Sequence, residues 1–141
     1  MTTIGKYNFP DELWYDKEHG WARVEGNVAT IGITDFAQDL AGEVVYVEVP
    51  RVGRDVAKGE PFMSMESGKW VGRIKSPVAG KITEANADLE WESAAVNQDP
   101  YCKGWLAKME IVSAEALAGL LRADSPEYAA FVAEQRTKYK K

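Results

Sequence analysis

Cysteine and histidine are nearly absent from this chain of 141 residues, which contains one of each, Cys102 and His19. A single cysteine excludes an internal disulfide, and one residue of each kind does not supply the ligands of a cysteine or histidine metal centre. One histidine also leaves little from which to build a Ser-His-Asp triad. The composition therefore argues against a disulfide scaffold, a histidine-ligated metal site and a triad hydrolase.

Long apolar runs and clustered positive charge are also lacking. No apolar stretch approaches the length of a membrane span, and residues 1–6 contain no apolar signal core. Lysine and arginine number 17 against 22 acidic residues, giving a net charge of −5, with no basic stretch before the last residues. Such a chain lacks the positive surface that binds nucleic acid. We expect a cytoplasmic protein that neither enters a membrane nor binds nucleic acid.

What the chain does contain is a series of short segments of alternating polarity, separated by glycine and proline turns. The clearest covers residues 43–49, where alternation predicts Val44 and Tyr46 on one face of a strand and Val45 and Val47 on the other. Many short strands with such turns are typical of a sandwich or a flattened barrel. The sequence thus predicts a mainly β fold, of a length that suits one domain.

The last part of the chain has a different pattern. Ser113 is the predicted N-cap of a helix that ends at residue 121, and Ser125-Pro126 begins a second helix. Apolar residues recur at helical spacing in both segments. We therefore predict a β domain over residues 1–112, with an extended N-terminal lead-in over 1–18, and a helical segment over 113–141 that packs on the same domain.

Lys69 lies between two predicted strands, in a segment typical of a hairpin tip. Gly68 permits a tight turn because glycine adopts backbone angles that other residues avoid. A lysine at such a tip points its amine into water, which suits an attachment point better than a buried catalytic amine. The acidic neighbour Glu66 would help a modifying enzyme to recognise this lysine.

The sequence offers no matched set of catalytic groups. Glu66 and Glu84 could form a pair of carboxylates, but nothing in the sequence brings them together. A glycine-rich phosphate loop is also missing, because Gly80-Lys81 lacks the upstream spacing of that motif. A carrier needs only a rigid scaffold and one exposed side chain, and tethering raises the effective concentration of its cargo. The sequence therefore favours a carrier protein without an active site of its own.

Five motifs within residues 13–112 occur in a fixed order. They are Asp-Lys-Glu-His-Gly-Trp at 16–21, Gly-Glu-Val-Val-Tyr-Val-Glu-Val-Pro at 42–50, Glu-Ser-Gly-Lys at 66–69, Ser-Pro-Val-Ala-Gly at 76–80 and Val-Asn-Gln-Asp-Pro-Tyr at 96–101. This series resembles the H-protein family of the glycine cleavage system. The resemblance implies a barrel-sandwich hybrid fold with C-terminal helices, and lipoic acid in amide linkage to Lys69.

The resemblance also suggests which residues surround the lipoyl group. The candidate cofactor-binding residues besides Lys69 are Glu66, Ser67, Gly68, Trp70, Arg73 and His19. Trp70 is either a hairpin packing residue or a platform for the arm, and His19 either lines the resting groove of the arm or is a structural histidine. Cys102 is an incidental loop thiol or an exchange partner of the lipoyl sulfurs.

Three positions depart from the family pattern. The family usually has an acidic residue after the histidine, where this chain has Gly20, and reads Lys-Ala-Ala-Ser-Asp from the modified lysine. Here Trp70 replaces a small residue and Arg73 replaces the acid. In glycine cleavage the arm carries a cationic aminomethyl group, which an arginine would repel. Arg73 instead favours an anionic cargo such as a sulfonate, a sulfinate or a thiosulfonate.

The chain accordingly looks like the H-protein-like lipoate-binding proteins of sulfur-oxidising prokaryotes. On that prediction it shuttles sulfur intermediates for a heterodisulfide-reductase-like complex and sulfur-transfer proteins. The alternative is an H-protein that serves the P-, T- and L-proteins of glycine cleavage. Either carrier needs a lipoate ligase or lipoyl transferase. A second alternative is an unmodified H-like binding module. Biotin fits less well, because biotin carriers usually have methionines beside the lysine.

Overall fold

The computed structural model describes residues 1–112 and 114–141. The strands are β1 (Thr2–Ile4), β2 (Tyr7–Phe9), β3 (Trp14–Tyr15), β4 (Gly20–Glu25), β5 (Val28–Ile33), β6 (Val44–Glu48), β7 (Asp55–Val56), β8 (Pro61–Ser67), β9 (Val71–Lys75), β10 (Gly80–Ala85), β11 (Ala107–Glu110) and β12 (Leu121–Arg122). The α-helices are α1 (Asp35–Ala41), α2 (Ala95–Gln98) and α3 (Pro126–Tyr139), and 3-10 helices cover Ala87–Glu90 and Ala114–Leu117. Within these described ranges, no helix has the length and apolarity that a membrane crossing requires.

Two antiparallel sheets form the body of the fold. The larger has seven strands in the order β12-β3-β4-β5-β11-β10-β7, and the smaller has three in the order β6-β8-β9. Side chains from both sheets share one hydrophobic cluster, in which Ile31, Ile82 and Met109 of the larger sheet meet Met65 of the smaller one. The predicted mainly β, sandwich-like fold is confirmed, because burial of one face of each sheet against the other holds the layers together.

Strand β6 does not alternate as predicted. Val44 and Val47 are buried, whereas Val45 and Tyr46 are 60% and 50% exposed. The register of β6 against β8 shifts between Val44 and Tyr46, which marks a bulge. A bulge adds one residue to a strand, so the residues after it change faces. The expected faces of this strand were therefore wrong, and two large apolar side chains lie in solvent near the hairpin.

The N-terminal segment is part of the fold rather than an extended lead-in. Strands β1 and β2 pair as a hairpin, and the side chains of Tyr7 and Phe9 are buried. They join a second hydrophobic cluster that also contains Trp21 and Tyr128. The predicted lead-in was wrong because it overlooked the period-two burial of Tyr7 and Phe9 in a strand of only three residues.

The C-terminal segment contains one predicted helix and lacks the other. Ser125 caps α3, since its hydroxyl oxygen accepts a hydrogen bond from the backbone N–H of Tyr128 at 3.2 Å, and Pro126 is the first helical residue. The predicted cap residue Ser113 lies outside the described residues. The helix expected to run to residue 121 is replaced by a 3-10 turn and by β12, which pairs with β3. Because Tyr128 is buried against N-terminal residues, we propose that this segment folds with the β domain.

Two buried tyrosines give a matched test of the second cluster. Tyr15 and Tyr128 stack with ring centroids 4.8 Å apart, and both are fully buried. The Tyr15 hydroxyl donates to the Pro10 carbonyl at 2.6 Å, whereas the Tyr128 hydroxyl has no hydrogen-bond partner among the described residues. We expect Tyr15→Phe to lower the free energy of unfolding by about 1 kcal/mol. Tyr128→Phe should leave it unchanged or raise it, because burial of an unpaired hydroxyl is unfavourable.

Urea unfolding of the two single variants checks this expectation. Each variant is the control of the other, since both keep the aromatic ring in the same cluster. A larger loss of stability in Tyr128→Phe than in Tyr15→Phe would contradict it.

Candidate functional site

The hairpin predicted around Lys69 is present. Strands β8 and β9 pair up to Glu66 opposite Val71, and the Ser67 N–H donates to the Trp70 carbonyl at 2.7 Å across the turn. Lys69 therefore lies at the exposed tip of an antiparallel hairpin, as the alternating flanks predicted.

Ser67 ties the hairpin tip to the rest of the protein. Its hydroxyl is buried, donates to the carbonyl of Ala41 at 2.5 Å and accepts the N–H of Lys69 at 3.2 Å. Ala41 is the last residue of α1. The side chain of Ser67 thus fixes the turn against the C-terminal end of this helix, so its part here is to position Lys69.

The Lys69 side chain is exposed, but it does not simply project into water. A Cβ atom on Gly42 would lie 2.7 Å from Cε of Lys69, so the alkyl stem lies on the backbone of that glycine. Gly42 also has a φ of +80°, in the left-handed region that favours glycine. Among the residues that the structure describes, none forms a hydrogen bond or an ion pair with the amine. The amine is therefore free for chemistry while the stem is supported.

Glu66 and Gly68 flank the tip of the hairpin, and only Gly68 departs from the expectation, since it does not adopt the backbone angles that other residues avoid. Gly68 has no positive φ, and a Cβ atom there would meet nothing within 4 Å, so the fold does not demand glycine at this position. Glu66 is exposed on the outer face of the smaller sheet, opposite Tyr46 on β6. Both residues thus leave open space around the tip of the hairpin.

An apolar cleft of about 390 Å³ lies beside the hairpin. It separates β9 from α1 and from the end of α3. The apolar residues that line it are Ile33, Ala37, Leu40, Ala41 and Ile74. Neither Gly42 nor Lys69 is among the lining residues, but their chain neighbours Ala41 and Trp70 are, so the stem of Lys69 lies close to the cleft.

Charged side chains line the rim of the cleft. Glu18 and Lys75 form an ion pair at 3.9 Å, and Arg73 lies on the same rim. Arg73 has no ion-pair partner within the described part of the chain. The departure from the family pattern at this position therefore adds an unneutralised positive charge beside the cleft.

His19 lines the cleft and also has a structural role. Its backbone has a φ of +67°, and its ring lies 5.2 Å from the ring of Phe36 and 5.3 Å from that of Phe131. Nε2 is 3.2 Å from the amide oxygen of Gln135, a contact in which the tautomer with a hydrogen on Nε2 donates to that oxygen. Nδ1 is buried, and no hydrogen-bond partner for it occurs among the described residues. Burial lowers the pKa of His19, and the imidazole is neutral.

Gly20, which stands where the family usually has an acidic residue, lies beside the buried carboxylate of Asp16. The N–H of Gly20 donates to Oδ1 of Asp16 at 2.8 Å, and a Cβ atom at position 20 would lie 3.3 Å from the same oxygen. Burial raises the pKa of Asp16, against the effect of its backbone hydrogen bonds. A glutamate at position 20 would begin next to this carboxylate, so the glycine avoids crowding two acids.

Two other candidates are not brought to the site. Cys102 is exposed in the loop between α2 and β11, in a depression shared with Arg23 and Trp105, and does not line the cleft. Glu84 lies on β10 of the larger sheet and pairs with Lys108 at 3.6 Å, so it does not meet Glu66. The structure thus offers no pairing of either residue with the hairpin.

Gly42 and Tyr139 are site residues that the sequence reasoning missed. The sequence presented Gly42 only as the first residue of the motif at 42–50, although a glycine just after a helix signals a positive φ. Tyr139 lines the cleft from the far end of α3. No local signal could have placed it there, because it lies seventy positions after Lys69 in the chain.

The buried imidazole of His19 predicts a pH dependence of stability. Its pKa in the folded protein lies below the ordinary value of about 6.5. The unfolded chain therefore takes up a proton first as the pH falls below about 6.5, and the folded state loses stability, by up to about 1.4 kcal/mol per unit of pKa difference. Above this range both states are neutral, and the full stability is present.

Urea unfolding between about pH 7.5 and about pH 5 measures this loss. His19→Asn is a suitable comparison, because asparagine tolerates a positive φ and does not titrate. We expect the variant to be less stable overall and to lose less stability on acidification than the wild type. Parallel stability curves for the two proteins would show that His19 does not contribute.

Comparisons with known proteins agree with this geometry. The family model described as glycine cleavage H-protein matches residues 13–135. The glycine cleavage system H protein of Symbiobacterium thermophilum is 46% identical over 127 residues, covering 90% of this chain and 98% of the relative. That of Rubrobacter xylanophilus is 50% identical over 102 residues, covering 72% and 81%. The crystal structure of a glycine cleavage system H protein from Mycobacterium marinum superposes with a TM-score of 0.77 at 28% identity, covering 90% of this chain and 98% of that one.

These matches bear on what the sequence predicted. They extend beyond residue 112 into α3, and they give no support to the predicted sulfur-oxidation pathway or to its heterodisulfide-reductase-like partners. The alternative from glycine cleavage fits them better. H-proteins carry covalently attached lipoate and have no catalytic activity of their own, so the chain is a lipoyl carrier protein and not an enzyme. By sequence over nine tenths of its length and by fold, it belongs to the glycine cleavage H-protein family.

Proposed function

We propose that this chain is the H-protein of a glycine cleavage system, with lipoic acid in amide linkage to Lys69. In this role it carries the aminomethyl group between the P-, T- and L-proteins, after a lipoate ligase or lipoyl transferase has attached the arm. The observation that carries the proposal is the position of Lys69. Its exposed amine lies at a hairpin tip, and its stem lies on Gly42, next in the chain to residues that line an apolar cleft.

The residues present fit a lipoyl group. Gly42 leaves room for the stem of the lysine, which a side chain at that position would fill. The apolar lining, including Ile33, Leu40 and Ile74, offers a dry surface to a hydrocarbon chain and a dithiolane ring. When bound, the group supplies reversible thiol and disulfide chemistry.

The other residues around Lys69 have separate roles in this proposal. Ser67 holds the turn against Ala41, which keeps the root of the arm in one place. Glu66 and the open space around Gly68 let a modifying enzyme approach the amine closely. The polar end of His19 is held by Gln135, so the imidazole presents a neutral, fixed surface to the cleft.

Incubation with lipoate, ATP and a lipoate ligase tests the attachment site. We expect intact mass and peptide mapping to find one lipoyl group on Lys69 of the wild type and none on Lys69→Arg. Lys81→Arg is the control, because Lys81 is an exposed lysine on β10 outside the site. A bare Lys69 in the presence of an active ligase would contradict the proposal and favour the unmodified binding module.

Arg73 supports a second candidate, a lipoyl carrier whose cargo is anionic. Its guanidinium lies on the cleft rim, where the carboxylate of Glu18 is already paired with Lys75. A free guanidinium binds sulfonate, sulfinate or thiosulfonate oxygens well and repels an ammonium group. On this reading the partners would be sulfur-transfer proteins and a heterodisulfide-reductase-like complex.

Loading of the lipoylated protein by glycine decarboxylase distinguishes the two cargoes. We compare the wild type with Arg73→Ala and Arg73→Asp, and leave Gly20 unchanged because a glutamate there would crowd Asp16. If the cargo is cationic, each step should raise the loading rate by about two- to fivefold, as expected for an exposed charge pair. A loading rate that falls from arginine to alanine to aspartate would contradict the proposal that the cargo is the cationic aminomethyl group.

A further inference from the structure

Trp70 packs on a glycine of its own hairpin. A Cβ atom on Gly72 would lie 2.6 Å from Cε2 and 2.7 Å from Cη2 of the indole, closer than Cβ atoms approach in proteins. The backbone φ of Gly72 is not positive, so no turn requires glycine at this position. The requirement comes from the indole, which occupies the space that any other side chain would use.

The packed indole belongs to the lining of the cleft and is next to the attachment lysine in the chain. Trp70 follows Lys69 directly and lines the cleft, while Gly72 supports one face of its ring. The side chain remains 37% exposed, so packing on Gly72 leaves part of the ring open. The tryptophan that departs from the family pattern and the glycine two residues after it thus form one packed unit.

We propose that Trp70, held by Gly72, is a positioning residue that binds the dithiolane end of the arm within the cleft. This proposal rests on lipoylation of Lys69. A divalent sulfur makes favourable contacts with an aromatic ring at about 5 Å, and the exposed part of the indole offers such a contact beside the apolar lining. Because the ring is already packed on the strand, little side-chain freedom is lost when the dithiolane binds.

The packed position of the Trp70 indole, which we call the platform, depends on the glycine at position 72. A methyl group at position 72 would displace the indole while leaving the tryptophan in the chain. Gly72→Ala should therefore have the same effect on the arm as Trp70→Ala, although the two variants change different residues. Acrylamide quenching of the unlipoylated Gly72→Ala protein should confirm the displacement by a rise in the accessibility of Trp70.

The rate at which a water-soluble trialkylphosphine reduces the lipoyl disulfide measures how well the arm is shielded. The phosphine gains an oxygen from water and becomes the phosphine oxide, and the disulfide takes up two electrons and two protons to give the dithiol. An arm that binds Trp70 is shielded, so we expect Trp70→Ala and Gly72→Ala to be reduced roughly two- to tenfold faster than the wild type. Trp70→Phe should restore most of the protection, since it keeps an aromatic ring.

Trp91 provides the matched control. It is 77% exposed and does not line the cleft, so Trp91→Ala removes an exposed indole without touching the proposed platform. Its lipoylated form should be reduced at the wild-type rate. Since a disulfide quenches tryptophan emission on contact, lipoylation should also lower the emission of the wild type and of Trp91→Ala, and should leave that of Trp70→Ala unchanged.

Equal reduction rates and equal quenching in lipoylated Trp70→Ala and Trp91→Ala would overturn the role of Trp70 and leave the carrier function intact. Absence of a lipoyl group on wild-type Lys69 would overturn both. Urea unfolding of each variant verifies that it is folded, and a merely structural role of Trp70 would change that stability without changing the protection of the disulfide.

Discussion

The hydrogen bonds that fix the junction between α1 and β6 support the whole candidate site. Asn97, on α2, donates to the carbonyl of Gly42 at 2.8 Å and accepts the N–H of Val44 at 2.8 Å. Ser67 reaches the carbonyl of Ala41 from the hairpin. These partly buried bonds satisfy backbone groups that the end of a helix leaves unpaired. They place Gly42 directly under the stem of Lys69.

The junction connects motifs that are far apart in the chain. The motif at 96–101 supplies Asn97, the motif at 42–50 begins with Gly42, and the motif at 66–69 supplies Ser67 and the lysine. Because one amide side chain bonds two backbone groups at once, a shift of α2 would move Gly42 and the first residue of β6 together. Three of the five motifs thus meet in one network of contacts beneath the stem of Lys69.

The cleft forms where the segment before β4 packs against the end of α3. Its lining combines His19, from the turn before β4, with residues of α1 and β9 and with Tyr139 of α3. The hydrogen bond from His19 to Gln135 and the ion pair of Lys141 with Asp39 at 3.5 Å tie the end of α3 to this region. The ion pair is partly exposed and contributes little, so the buried aromatic contacts of His19 dominate. Arg73, on the rim, gives this cleft a positive charge that membership of the family does not by itself explain.

The features that depend on neighbouring residues could be predicted from the amino-acid sequence. These include the alternating strands, the hairpin tip at Lys69, the start of α3 at Ser125-Pro126, and the motifs that place the chain in its family. Local sequence decides them because turn, cap and alternation preferences act over a few residues. The faces of β6 and the N-terminal strands were predicted wrongly because they depend on strand pairing, which a pattern of neighbouring residues does not show. The folded structure was needed to show that Gly42 lies under Lys69, that the indole of Trp70 packs on Gly72, and that Tyr139 lines the cleft. These contacts depend on the path of the backbone and on side-chain rotamers, which no residue pattern encodes.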